Sequence, residues 1–308
     1  MSISNPVAVD ISKNTLEVKS RFFACVVPND EKGIKKLLDK IKPLQCPLIV
    51  CEATGGYERL LIKTMHIKKI AVCRANPGRV RSFARSEGVL AKTDKLDADI
   101  ILRFAEEKSL RTLLPPDPTR EKIRNLLDRR SQIVSMLTEE KNRLQNSHQQ
   151  LHASIKRVLK YFEKEIKRIE NQLDKIITSN KKLNAQIERL TSITGVGKVC
   201  AQHVLAYLGE IEMLNRNQIS ALAGLAPYNR DSGVFRGKRK IIGGRGKVRT
   251  TLYMATQSAA VYNPVIREYV GKLRERGKPY KVAIVAGMRK LLIHMQSELK
   301  KLNLEVEM

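Results

Sequence analysis

Between Thr119 and Thr194 the chain runs 76 residues without a glycine or a proline. Those two residues punctuate most loops, so their absence over such a length demands long helices. Val134, Leu137, Leu144, Leu151, Ile155, Val158 and Phe162 keep a 3-4 spacing, with Lys141 and His148 at two seam positions. The seam then takes two four-residue steps, Val158 to Phe162 to Ile166, before Ile169, Leu173, Ile176, Leu183, Ile187 and Leu190. Such a pair of steps is either a stutter in a coiled coil or a bend between two helices. The expectation is a helical coiled-coil arm over 116–190, with Lys141 and His148 setting register or oligomer state.

The flanking segments read differently. Residues 6–27 hold three short β-prone stretches with polar breaks, the pattern of an antiparallel meander. A helical pattern (31–41), a buried-type strand PLIVCEAT (47–54), a helix (57–66), a strand KIAVCR (69–74) and helical material to about 110 follow. This order, βββαβαβα, predicts an α/β domain over 1–115 with helices packed on a mixed sheet, closed by the LLPPDP break at 113–118. Residues 191–308 read as a mainly α domain. It opens with LTSITGVGKVCAQHVLAYLG, where Gly195, Gly197 and Lys198 between two amphipathic stretches suggest a helix-hairpin-helix-like element. A plain tight turn between core helices explains the same glycines.

Charge narrows the partner class. Lys and Arg number 58 against 31 Asp and Glu, a formal net charge of +27. The three segments carry 21 basic against 13 acidic, 17 against 10, and 20 against 8 residues, so the excess is spread along the chain and is not a tail. A distributed field of this sign attracts polyanions and predicts a long nucleic-acid path over several domains. Its densest part lies between Arg230 and Arg249, where eight Lys or Arg (Arg230, Arg236, Lys238, Arg239, Lys240, Arg245, Lys247 and Arg249) are interspersed with five glycines. A loop rich in glycine and cations is suited to a phosphate backbone.

The acidic residues suggest chemistry. Asp10 and Glu52 each follow an apolar run where a strand should end, and Asp94 and Asp97 stand i, i+3 on a probable helix, with Asp99 rotated away. Taken singly, Asp10 could cap a turn, Glu52 could pair with Arg74, and Asp94 could N-cap its helix. Taken together, four hard oxygen donors without His or Cys match Mg²⁺ or Mn²⁺, and paired ions of that kind clamp an in-line phosphoryl displacement.

Six stretches, DISKNTLEV (10–18), CEATGGYE (51–58), NPGRVRSFARSEGVLAKTDKLDA (76–98), ITGVGKVCA (193–201), LAGLAPYNRDSGVFRGKRKI (222–241) and GKVRTTLYMA (246–255), resemble in order and spacing the DEDD transposases of the Piv/MooV type. The resemblance covers nearly the whole chain, and KTDKLDA with APYNRDSG over a hundred residues later is its most specific part. It implies a RuvC-like, RNase H-fold first domain whose metal-binding tetrad falls on Asp10, Glu52, Asp94 and Asp97. It also implies a C-terminal transposase domain whose serine falls on Ser232. Further implications are a DNA recombinase of a bacterial insertion sequence, a serine nucleophile, a structured guide RNA encoded beside the gene, and a homo-oligomer, dimer or tetramer. Thr194 departs from the family, which commonly has Pro before the GxG.

Two rival readings stand beside it: a RuvC-like junction-resolving endonuclease using metal-activated water, and a non-catalytic nucleic-acid-binding protein. Five cysteines, odd in number and never spaced CxxC, give neither a disulfide framework nor a zinc knuckle. No apolar run approaches the roughly 20 residues that span a bilayer. The expected location is the bacterial cytoplasm, at the nucleoid, with no membrane partner.

Overall fold

The structure, a computed structural model, describes residues 5–89, 94–115, 117–229, 237 and 239–307, and of residues 94–96 and 306–307 the backbone alone. The chain divides into two compact units, Met1–Pro115 and Pro116–Met308.

The first unit is a five-stranded mixed sheet covered by helices on both faces, which fits an RNase H-like domain. Its strands are β1 (Asn5–Ile11), β2 (Thr15–Ser20), β3 (Ala24–Pro28), β4 (Pro47–Glu52) and β5 (Ala71–Ala75), in the spatial order β3-β2-β1-β4-β5. The first three form an antiparallel meander, and β1, β4 and β5 run parallel. Side chains alternate across a strand, and the two cores divide accordingly. Val7, Val9, Ile49 and Cys51 pack with α1 (Glu31–Ile41) and α2 (Arg59–Ile67) on one face. Ala8, Leu48 and Val50 pack on the other with α3 (Pro77–Ser86) and α4 (Asp94–Glu107).

The second unit is helical apart from one small hairpin. Pro118 opens α5 (Pro118–Asn146) at a position where its missing N–H costs nothing, and Asp117 caps it by accepting from Thr119 and Arg120. The helix α6 (Gln149–Thr178) follows. Arg130 pairs with Glu170 at 2.7 Å and Lys141 with Glu163 at 4.0 Å, so the two helices lie antiparallel as a hairpin.

Of the two readings of the four-residue steps, the bend between helices is absent there. The chain turns at Ser147 and His148, while α6 runs unbroken through the four-residue steps at Val158, Phe162 and Ile166. Lys141 and His148 are exposed and occupy no buried seam. Leu159 is buried along α6, and Ile123, Leu127, Ile133, Ile169, Leu173 and Ile177 are buried because the base of the hairpin joins the core of this unit.

That core is completed by α7 (Lys181–Thr191), α8 (Lys198–Tyr207), α9 (Arg216–Leu222), α10 (Gly246–Tyr262), α11 (Pro264–Glu275) and α12 (Tyr280–Glu307). Between α9 and α10 lie β6 (Pro227–Tyr228) and β7 (Lys240–Ile241), paired antiparallel. No helix among the described residues is long and apolar enough to cross a membrane.

The turn between α7 and α8 separates the roles of its glycines. Gly195 has φ +95°, and a Cβ there would stand 2.6 Å from Ala259 of α10. Gly197 has φ −81° and open space where a Cβ would be. Gly195→Ala is therefore expected to destabilise the protein by about 1–3 kcal/mol through backbone strain and overpacking. Gly197→Ala, which meets no clash but replaces the glycine N-cap of α8, should cost less, at most about 1 kcal/mol; urea denaturation of both variants checks the contrast.

Candidate functional site

The carboxylates of the first unit are positioned by strand register. β1 and β4 pair in parallel from Asn5↔Pro47 to Val9↔Cys51, so the next residues, Asp10 and Glu52, stand at one level where the paired segment ends. Both share the even parity of Ala8 and Val50 and so belong to the α3/α4 face. Each is half-buried.

The direction of α4 brings a third carboxylate to the same end. Lys19 pairs with Asp99, and Arg21 pairs with Glu106 at 2.6 Å. Lys19 lies opposite Ala8, and Arg21 lies beyond the Ser20↔Val7 pair, toward the start of β1. The helix therefore runs against β1, and its first turn, with Asp94 and half-buried Asp97, lies toward Asp10. Asp99 is taken by Lys19, in keeping with its different side of the helix. The Asp94 side chain lies outside the described residues, and among the described residues no three His, Cys, Asp or Glu side chains group closely enough to hold a metal.

In the second unit the expected serine loop falls, in chain order, between β6 and β7. Ser232, Arg230, Arg236 and Lys238 lie outside the described residues; Arg239 and Lys240 are exposed. The base below them is built closely. Gly224 and Gly244 adopt φ of +70° and +73°, and a Cβ on either would overlap the backbone of the opposing segment. Only glycines permit that crossing. Arg249 donates to the Gly243 carbonyl at 2.7 Å, and the Arg245 N–H donates to the Leu222 carbonyl at 2.8 Å.

Three cations expected on nucleic acid thus have partners inside the chain. The Arg245 guanidinium makes two 2.8 Å bonds to Glu210 and a third to the Tyr207 carbonyl. Lys247 pairs with Asp128 and stands over the Tyr207 ring, and Arg249 clamps the glycine crossing. Bonding to Arg245 holds the Glu210 carboxyl below the usual carboxylate range, against the opposing push of burial. Lys198 pairs with Asp174 at 2.7 Å, though about half its side chain remains in solvent.

Comparison with known proteins decides what these features belong to. Residues 7–153 match a family model for DEDD transposases of IS110, described as "Transposase", and residues 187–271 match one described as "Transposase IS116/IS110/IS902 family". The chain belongs to the IS110 family of transposases. It is an enzyme that cleaves and rejoins DNA. The transposase is similar to the pilin gene-inverting proteins of Moraxella lacunata and Moraxella bovis. Each is 26% identical over 300 residues, covering 93% of this chain and 92% of the relative. It is also 25% identical over 223 residues to the transposase for insertion sequence element IS1111A of Coxiella burnetii, covering 63% of this chain and 60% of that one.

One residue of the transposase that sequence reasoning missed is Glu58. It is 4% exposed, and its Oε2 accepts from Gly56 N–H at 2.9 Å, from Thr54 Oγ1 at 2.9 Å and from Thr54 N–H at 3.4 Å. Arg74, a possible partner of Glu52 on sequence grounds, stands 3.4 Å from Glu58. Burial pushes the Glu58 carboxyl up, but the converging N–H and O–H donors outweigh it and leave the group below its ordinary value. Glu58 thereby fixes the turn that follows Glu52. The signal available was an acid six residues after another in a Thr-Gly-Gly turn, and nothing in that spacing separates a turn staple from a ligand.

A carboxyl held below its unfolded value stabilises the fold fully above the unfolded pKa, near 4.3, and loses that contribution as pH falls through the folded value. Glu58→Gln should cost about 1–3 kcal/mol at pH 7. The gap to wild type should close as pH falls below about 4, which urea titrations across that range would show.

Proposed function

We propose that the transposase breaks and rejoins DNA through the hydroxyl of Ser232, with Asp10, Glu52, Asp94 and Asp97 as a divalent-cation site. The observation that carries this reading is the register placing Asp10 and Glu52 level at adjacent strand ends, with the acidic first turn of α4 at the same end. The donor set fits Mg²⁺ or Mn²⁺, since it offers hard oxygens and no imidazole or thiolate. Such an ion supplies charge stabilisation at the phosphate and lowers the pKa of a hydroxyl beside it.

The chain's own groups do the rest. Ser232 Oγ forms a bond to phosphorus as the bond to the leaving deoxyribose oxygen breaks; the serine proton is lost and the leaving oxygen gains one. Arg230, Arg236, Lys238, Arg239 and Lys240 surround the serine in sequence and hold the scissile phosphate. A covalent phosphoserine ester keeps the bond energy, so a new strand end can reverse the step without an outside energy source. The gene inversion named for the Moraxella relatives is a reaction of this class. A junction-resolving nuclease would account for the first unit and leave the glycine-crossed hairpin without a purpose.

Asp10→Ala, Asp97→Ala and Ser232→Ala should each reduce strand exchange by about 10³-fold or more. Only Ser232→Ala should abolish a protein–DNA adduct trapped on a nicked substrate while leaving cation binding intact. Cleavage at the wild-type rate in chelator, or an adduct persisting in Ser232→Ala, overturns the assignment.

We further propose that a structured RNA guides the transposase and that it works as a dimer or tetramer through the α5/α6 hairpin. Positive charge on every third of the chain supports the first. For the second, Leu151 and Tyr161 toward the hairpin's far end are 54% and 63% exposed. Gly195, Gly197 and Lys198 at the start of α8 add a further backbone contact to the reading. Purification from cells carrying the intact element should enrich one RNA that is released by salt. Absence of such an RNA contradicts guidance, and a monomer in solution contradicts the assembly.

A further inference from the structure

The first unit has a cationic feature of its own, in a cleft of about 580 Å³ between α3 and α4. Its floor is an edge-to-face pair, Phe83 and Phe104, with ring centroids 5.6 Å apart. One cation stands over each ring: the Arg79 guanidinium 5.5 Å from the Phe104 centroid, and Lys108 Nζ 5.2 Å from that of Phe83. Both side chains belong to exposed residues at the cleft wall. Held on ring faces, they lose less freedom on meeting an anion than free surface cations would.

Of the cleft's other polar groups, Asn76 accepts from the Gly78 N–H at 2.8 Å through Oδ1 and keeps its amide N–H groups, while the serines are committed. Ser82 Oγ donates to the Gly78 carbonyl at 2.9 Å and Ser86 Oγ to that of Phe83 at 2.7 Å, so both hydroxyl protons are engaged. Glu107 stands 3.7 Å from Lys108, an exposed pair of small worth. Glu87 is taken by Arg103. Arg81 and Arg85, i and i+4 on another side of α3 from Arg79, are exposed and make no ion pair among the described residues.

We infer that the α3–α4 cleft is a docking site for the phosphate backbone of duplex DNA, with Arg79 and Lys108 as its two phosphate contacts. The inference rests on the proposed function, because the occupant is taken to be the strand that reaches the carboxylates. From Asp97 to Phe104 and Lys108 is seven to eleven residues, about 10–16 Å at 1.5 Å per helical residue. At about 3.4 Å per nucleotide, the contacted phosphates lie roughly three to five nucleotides from the cut.

The test uses the full-length transposase in chelator, where binding is read without cleavage. Each phosphate contact contributes about 0.9 to the slope of log affinity against log salt. Duplex binding by the Arg79→Gln, Lys108→Gln double variant should therefore show a slope smaller by about 1.8, with an unchanged thermal midpoint. Glutamine keeps part of each stem over its ring, and Arg79→Lys, which keeps the charge, should retain the wild-type slope. If the double variant melts early, the two single variants should each lower the slope by about 0.9. Neutral methylphosphonate linkages three to five nucleotides from the mapped cut should weaken wild type and leave the double variant unaffected.

An unchanged slope, equal methylphosphonate sensitivity in both proteins, or a slope change confined to structured RNA would overturn the inference. Failure of the proposed function would appear elsewhere, as cleavage surviving in Asp97→Ala or Ser232→Ala, while the binding slopes would still be read.

Discussion

The parallel pairing of β1 with β4 is the constraint on which the first unit's chemistry depends. Because side chains alternate, a one-residue slip in that register would send Glu52 to the α1/α2 face while Asp10 stayed on the other. The register is held from both sides. Val7, Val9, Ile49 and Cys51 are fully buried against one helical layer, and Ala8 and Val50 against the second. Exchanging the faces would move Glu52 into an apolar core, where an unpaired carboxylate is costly. The apolar strand interiors therefore enforce the level placement of two charged residues at their ends. The Lys19–Asp99 and Arg21–Glu106 pairs then orient α4, and Glu58 locks the turn beyond Glu52.

The second unit uses its positive charge partly for itself. Three arginines, two on α5 and one before α10, take consecutive carbonyls near the end of α8: Arg120 that of Leu205 at 3.2 Å, Arg124 that of Ala206 at 2.6 Å, and Arg245 that of Tyr207. A helix C-terminus carries unpaired carbonyls and partial negative charge, so cations there satisfy both. Arg245 also begins the approach to α10, which ties the root of the hairpin to this cap. Net charge thus overstates what is available to nucleic acid. Arg245, Lys247 and Arg249 serve the scaffold, while Arg239 and Lys240 are exposed.

Much of this was legible in the sequence for physical reasons. Short β-prone runs between polar breaks marked the meander, and the glycine- and proline-free span marked long helices. The spacing of Asp94, Asp97 and Asp99 separated one helix face from another, and the Lys19–Asp99 pair agrees with that separation. The hairpin turn at Ser147 and His148 was not legible, because it contains neither glycine nor proline and a 3-4 pattern reads alike in one helix or in two folded back together. The commitments of Arg245, Lys247 and Arg249 were equally hidden: a cation's partner, when it lies 35 or 119 residues away in the chain, leaves no local mark. Glu58 shows the same limit from the acidic side.

In the proposed function, the register of β1 and β4 and the direction of α4 build one cation site from Asp10, Glu52, Asp94 and Asp97. A crystal of the transposase grown with Mn²⁺ and measured at the manganese absorption edge tests this directly. Anomalous peaks are expected at the ends of β1 and β4, with oxygen ligands from Asp10, Glu52 and the first turn of α4. Manganese bound only elsewhere, or these carboxylates paired to protein cations with no peak between them at saturating Mn²⁺, would contradict it.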